Sequence, residues 1–192
     1  KKKNHIIKHK FSSGGLGVGV KRKSKDYYYQ KYISGQTYSV SFLVYENYIN
    51  ILGYNILFRV KNNDDYPFLY AGSMMIGKKF KCHKIIRNLI ISIIKNEKLK
   101  GFSSIDFIIN NGKIYFLEIN ARLSASYKLY KERYGKSLIR NHFDSYKYKL
   151  NIKNYNYFAE IVLYAKSELI ISERINEISN ICKSVEKYSW SN

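Results

Sequence analysis

Proline is almost missing from this 192-residue chain, which has only Pro67. Cysteine is nearly as scarce: Cys82 and Cys182 lie far apart and form no CxxC pair. That excludes a disulfide-stapled secreted scaffold and points to a reduced, cytoplasmic protein. The four histidines, His5, His9, His83 and His142, show no metal-ligand spacing, and Cys82 and His83, as neighbours, read as facing opposite sides of a strand. No run of eighteen apolar residues exists. The most apolar stretch, 85–94, is broken by Arg87, Asn88 and Ser92, so it reads as a core helix and not a membrane span. The chain opens on Lys1, not Met, with no apolar signal core after it, which gives the expectation of a chain beginning within a longer gene.

Acidic residues are also few, 14 against 34 basic ones, for a net charge of +20. Such a charge attracts nucleic acid without reading its sequence. The basic residues are spread along the chain, however, and Lys, Asn, Ile, Tyr and Phe are all abundant, with 20 tyrosines. These are residues of A/T-rich codons, so the surplus lysine follows from composition and nucleic acid is an unlikely partner. With 45% hydrophobic and 25% charged residues, the chain is long enough and apolar enough to bury a core.

Hydrophobic periodicity predicts strands over 5–8, 27–33, 37–45, 48–60, 103–109, 113–120 and 157–165. Glu46-Asn47 reads as a hairpin turn, and Gly72 and Gly77 as marks of irregular chain. Apolar residues at three and four spacing (Ile85, Ile86, Leu89, Ile90, Ile93, Ile94) predict an amphipathic helix over 79–98. Further helices are expected over 124–134, with Ser124 as its cap, over 137–148, and over 173–182. The fold class is therefore α+β.

One hairpin stands out. Asp106, Glu118 and Asn120 interrupt strands that are otherwise apolar, and a buried carboxylate is costly unless paired or bound to a cation. Glu118 and Asn120, two apart, share a face. A two-residue turn at Asn111-Gly112 pairs Asp106 with Leu117 and sends it to the other face. A three-residue turn ending at Gly112 pairs it with Phe116, and the three side chains converge. Hard oxygen donors suit Mg²⁺ or Mn²⁺. The hairpin alone supports a metal site and a set of carboxylates paired with lysines equally well.

The phrase Asp106-x11-Glu118-x-Asn120-x-Arg122 resembles the metal-binding end of the ATP-grasp superfamily. Three features upstream follow that family's order. Ile6-Ile7-Lys8 resembles the strand whose lysine meets the ATP phosphates. The run Ser12-Ser13-Gly14-Gly15-Leu16-Gly17-Val18 is similar to its phosphate-covering loop, where glycine lets backbone N–H groups approach an anion. Tyr29 to Gly35 resembles the hinge strand that receives adenine. More finely, 39–44, 70–73, 118–126 and 161–165 are similar to the carboligase-like branch related to biotin carboxylase. The chain departs from the pattern at Lys8-His9 and Asn120-Ala121, where proline is usual, and at Gln36-Thr37, where many relatives carry a ribose-binding glutamate.

The resemblance implies an ATP-grasp fold with ATP between two lobes, 1–33 and 34–192, and a preceding domain that this chain lacks. It implies ATP contacts from Lys8, Ser13, Gly14, Gly15, Gln30, Lys31, Tyr32 and Ile33. Magnesium (or manganese) would sit at Asp106, Glu118 and Asn120, and Arg122 would hold the γ-phosphate or acylphosphate. The implied reaction is an ADP-forming ligation in which a small-molecule carboxylate is activated as an acylphosphate and captured by an amine. A nucleotide-binding remnant without activity, and a basic nucleic-acid-binding protein, are the alternatives.

Overall fold

The computed structural model describes residues 4–19, 26–45, 48–60, 64–76, 80–144 and 150–164. Two compact units divide the chain, 1–162 and 163–192; of the second only 163 and 164 are described, so the account that follows concerns the first. The expected turn at Glu46-Asn47, the helix over 173–182 and Cys182 lie outside the described residues.

The first strand, β1 (His5–His9), pairs antiparallel with β2 (Tyr27–Lys31) as a two-stranded sheet. Next come β3 (Gln36–Tyr45), β4 (Tyr48–Arg59), β5 (Tyr70–Ile76), α1 (His83–Glu97), β6 (Gly101–Asn110) and β7 (Lys113–Asn120). Helices α2 (Tyr127–Tyr134) and α3 (Ser137–Phe143) and the short β8 (Ala159–Ile161) complete the series. A second, six-stranded sheet runs β7-β6-β3-β4-β5-β8, antiparallel at every described pairing.

Both faces of this larger sheet are covered. On one, Val40, Phe42, Val44, Tyr54, Ile105 and Phe107 pack against Ile86, Ile90 and Ile94, an i, i+4, i+8 stripe of α1. On the other, Leu43, Tyr45, Leu52 and Phe102 lie under Leu129, Tyr130 and Tyr134 of α2 and Leu138 of α3. Alternation along β3 feeds the two cores in turn, so its centre is buried throughout. Because Ile85 falls off the α1 stripe, it is 63% exposed, contrary to its expected place on the apolar face. No helix among the described residues is long and apolar enough to cross a membrane.

Several expectations give way to context. Gly72 sits inside β5, where a side chain would meet the Glu160 carbonyl of β8; it marks close strand approach and not irregular chain. Cys82 caps α1 and His83 begins it, so neither lies on a strand; the Tyr54 hydroxyl shares a 2.8 Å hydrogen bond with His83 Nδ1. The strand expected over 157–165 shrinks to three residues at the sheet edge.

The second core face changes character along its length. Past Leu43 it turns polar, with Ser39, Ser41, Asn55 and Ser104 all buried. Burial of Ser41 and Asn55 is tolerated because their side chains are hydrogen-bonded. The Tyr130 hydroxyl donates to Asn55 Oδ1 (3.0 Å), Asn55 Nδ2 donates to Ser41 Oγ (3.3 Å), and Ser41 Oγ bonds Ser126 Oγ (3.1 Å). Ser126 in turn bonds Ser124 Oγ (2.9 Å), so Ser124 serves this chain and makes no side-chain cap; the residue at the start of α2 is Ser126. The network ties the connection after β7 to the sheet. Replacing Asn55 with alanine removes the acceptor of the buried Tyr130 hydroxyl, while Ser41 keeps Ser126, and chemical denaturation should show a loss of about 1–3 kcal/mol, with Asn55→Asp less harmful than Asn55→Leu at low pH.

Candidate nucleotide and metal site

The polar end of that face is where the expected site residues gather, and the β6–β7 hairpin decides how. Its turn has two residues, with Asn110 opposite Lys113. Asn111 (φ 48°) and Gly112 (φ 72°) are both left-handed, as a type I′ turn requires. The three-residue turn with Asp106 opposite Phe116 therefore does not form. The acids converge by another device. Phe107 faces Phe116, but Asp106 faces Glu118, leaving Leu117 as a β-bulge. One extra residue in β7 restores the phase that the two-residue turn would have lost. Asp106, Glu118 and Asn120 thus point to one side, with Asn120 opposite Ser104.

Lys8 of β1 reaches this group from the other sheet. Its Nζ donates to Glu118 Oε2 at 2.6 Å, with the lysine side chain 11% and the glutamate 46% exposed. Burial works against the ammonium, but the hydrogen bond and charge of Glu118 prevail and hold Lys8 above the usual lysine range. Two strand-opposed carboxylates repel. Burial pushes the Asp106 carboxyl up to about 7; Glu118 adds to the shift, while a hydrogen bond from Ser39 and the charges of Lys8 and Arg122 oppose it. A half-buried carboxylate pair that resists double ionisation is what a divalent cation relieves.

The remaining residues take their places around one open cleft of about 440 Å³, lined by Lys10, Phe11, Ser12, Ser13, Glu118, Ile119, Asn120 and Arg122. The Arg122 guanidinium donates to Asn120 Oδ1 (3.4 Å) and to the Leu123 carbonyl (3.2 Å). Gly14 (φ 62°) and Gly15 (φ 83°) lean away from the cleft onto the chain before β5: the Gly14 carbonyl accepts from Tyr70 N–H at 2.9 Å. A side chain at Gly15 would collide with the Phe68 carbonyl, so glycine is required there for close approach as well as for φ.

Gln30 donates from Nε2 to the carbonyl of Leu117 (3.2 Å), which ties β2 to the bulge itself. Lys31 ends β2, and Tyr32 N–H donates to the Asn4 carbonyl; with half-buried Ile33 they form the link between the two sheets. The structure therefore gathers Lys8, Ser13, Asp106, Glu118, Asn120 and Arg122 at one place, with Gln30 beside them. Sequence reasoning passed over Lys10 and Phe11 on the cleft wall, and Ser39 opposite Asp106; Ser12 it placed in the glycine-rich run without naming it as a contact. Ser39 had a signal, a hydroxyl alternating with apolar residues on a strand.

Among the described residues no three His, Cys, Asp or Glu side chains cluster as a ready metal cage. Two carboxylates and the Asn120 amide oxygen are instead an oxygen set of the kind Mg²⁺ uses when phosphates and water complete its shell, so the residues fit that ion.

Comparisons with known proteins bear on the family and the fold. A family model described as the ATP-grasp domain matches residues 1–126. N5-carboxyaminoimidazole synthetase from Staphylococcus aureus, solved with ADP, is similar over 92% of this chain and 50% of its own, with a TM-score of 0.68 and 16% identity. The biotin carboxylase domain of a 2-oxoglutarate carboxylase from Hydrogenobacter thermophilus, solved with MgADP and bicarbonate, is similar over 72% and 35% (TM-score 0.58, 15% identity). An ATP-grasp superfamily protein from Archaeoglobus fulgidus is similar over 70% and 42% (TM-score 0.51, 24% identity). At these identities the structures share the fold with the chain, which spans between about a third and a half of their length. No curated protein sequence matches.

Proposed function

Because the chain belongs to the ATP-grasp family, we propose that it is the nucleotide-binding part of an ADP-forming ligase that activates a small-molecule carboxylate for capture by an amine. The observation that carries this reading is that Lys8 and Asp106 both meet Glu118, which with Asn120 lines a cleft shared with Ser12 and Ser13 of the glycine-rich loop. The separation of the β1–β2 sheet from the six-stranded sheet near residue 33 is in keeping with two lobes, 1–33 and 34–192.

In that reaction a carboxylate oxygen attacks the γ-phosphorus of ATP, the bond to the ADP oxygen breaks, and the amine then displaces phosphate from the acylphosphate. A magnesium ion held by Asp106, Glu118 and Asn120 would supply charge neutralisation at the phosphates. The chain's own residues do the rest. Lys8 brings a positive charge to the phosphates, and Ser13 presents the near end of the glycine-rich loop to them; Gly14 and Gly15, held here against 68–70, would have to turn toward the cleft to add their N–H groups. Arg122, on the exposed side of the metal strand, presents a planar fork suited to the γ-phosphate or to the acylphosphate. Gln30 and the link 31–33 sit where adenine would enter between the sheets. The same fold in a biotin carboxylase domain favours the carboligase-like branch. The scarcity of cysteine, with no CxxC spacing, favours a cytoplasmic setting.

Titration calorimetry tests the reading. ATP should bind with a dissociation constant in the micromolar range when Mg²⁺ is present and at least about tenfold more weakly in EDTA, since the metal is then lost from the phosphates. Equal binding in both conditions, or salt-sensitive RNA binding with no binding of ATP, would sink it.

A further inference from the structure

Lys8 stands between two anions that cannot both have it. Its ammonium is spent on Glu118 at 2.6 Å, and its stem is enclosed, with 11% of the side chain exposed. The same Glu118 oxygen set is the one a divalent cation would use, and the same ammonium is the one a phosphate would use. A cation approaching Glu118 therefore meets a carboxylate already neutralised by a charge-assisted hydrogen bond, whose ammonium would be left in a half-closed place with no anion.

We propose that Lys8 is a positioning residue that competes with the divalent cation for Glu118, so that phosphates, by drawing Lys8 to themselves, release the carboxylate to the metal. The inference rests on the site reading given above and adds to it an order of events: nucleotide and metal enter as a coupled pair, and metal alone is held weakly. Linkage makes the coupling mutual, since whatever the phosphates add to metal affinity the metal adds to theirs.

Manganese is the probe, titrated by electron paramagnetic resonance into the full chain without nucleotide. Lys8→Met, and Lys8→Gln as a second variant in case one fails to fold, should bind Mn²⁺ about tenfold more tightly than the wild-type chain. Lys8→Arg, which keeps the charge and the ion pair, should stay as weak as the wild type. The Met and Gln variants should at the same time lose affinity for MgADP. If removing the charge leaves Mn²⁺ affinity unchanged or lower while the wild-type chain binds MgATP, the competition is wrong and the ligase reading stands. If the wild-type chain binds no MgATP, both fall together.

Discussion

Glu118→Ala should lower Mg²⁺-dependent ATP affinity by at least about a hundredfold, because loss even of a residue that only orients a metal ligand costs ten- to a hundredfold. Two consequences separate a metal ligand from a mere salt-bridge partner. A ligand's removal abolishes the difference between binding in Mg²⁺ and in EDTA. Removal of a salt-bridge partner would leave that difference intact and lower stability alone. Since alanine also strands Lys8, whose side chain is largely enclosed, Glu118→Gln is the better comparison: it keeps an acceptor for the lysine but offers the metal a neutral oxygen. Calorimetry on both, in Mg²⁺ and in EDTA, checks the expectation; wild-type metal dependence in Glu118→Gln would remove Glu118 from the site.

Asp106→Asn should do two opposite things, stabilising the protein in EDTA near pH 8 and erasing the stabilisation conferred by Mg²⁺ with nucleotide. The Asp106 carboxyl is raised from its ordinary 3.8 to about 7, first by burial and then by Glu118. A folded-state value above the unfolded one favours the folded protein fully below about pH 4, and that contribution is lost as the pH rises through 7. Three units correspond to at most about 4 kcal/mol, and the polarisable surroundings beside Lys8, Arg122 and the open cleft reduce this to about 2 kcal/mol. In a chain of this length that is about 4–8 °C in melting temperature. Thermal melts in EDTA from pH 5 to 8.5 should therefore diverge, wild type falling below the variant as the pH rises and the two converging in acid. Parallel profiles would mean that Asp106 ionises freely and is not held in a strained pair.

The hairpin shows what a sequence can and cannot disclose. Two polar residues at alternate positions on an apolar strand, Glu118 and Asn120, were enough to assign them one face, and β7 places them so. Whether Asp106 joins them depended on a register that composition does not encode. Asn-Gly favours the two-residue turn that forms, and Leu117 gives no sign that it will be left unpaired. Bulges are set by what lies across the strand and above it, and here Gln30 bonds the carbonyl of Leu117 from a different sheet. Local patterning cannot see that contact.

A related blindness affected the centre of the large sheet. Alternation over 37–45 predicted a strand, correctly, yet alternating serines ordinarily mean a solvated face. Here both faces of β3 are covered, and Ser41 and Asn55 lie wholly inside, meeting Tyr130 and Ser126 from far along the chain. α1 was legible because Ile86, Ile90 and Ile94 keep helical spacing. Ile85 was misplaced because an apolar residue beside a stripe looks the same in sequence as one within it. The expected lysine, glycine loop, hinge and acids occur in order; Ser13, Glu118, Asn120 and Arg122 line one cleft, and Lys8 and Asp106 meet it through Glu118.

The bulge at Leu117 divides the hairpin into two sections that are out of step by one residue. Between it and the turn, Phe107 to Asn110 and Lys113 to Phe116 keep one parity; beyond it, Ser104 to Asp106 and Glu118 to Asn120 keep the other. The tip of the hairpin and its chemically equipped base are for that reason separately editable. Exchanges at Asn111-Gly112 that preserve the turn never reach the carboxylates, whereas flattening the bulge so that Leu117 paired with Asp106 would leave the tip as it is and rotate Glu118 and Asn120 to the opposite side of the sheet. By leaving a single apolar residue out of the pairing, the bulge keeps three oxygen-bearing side chains in the same frame.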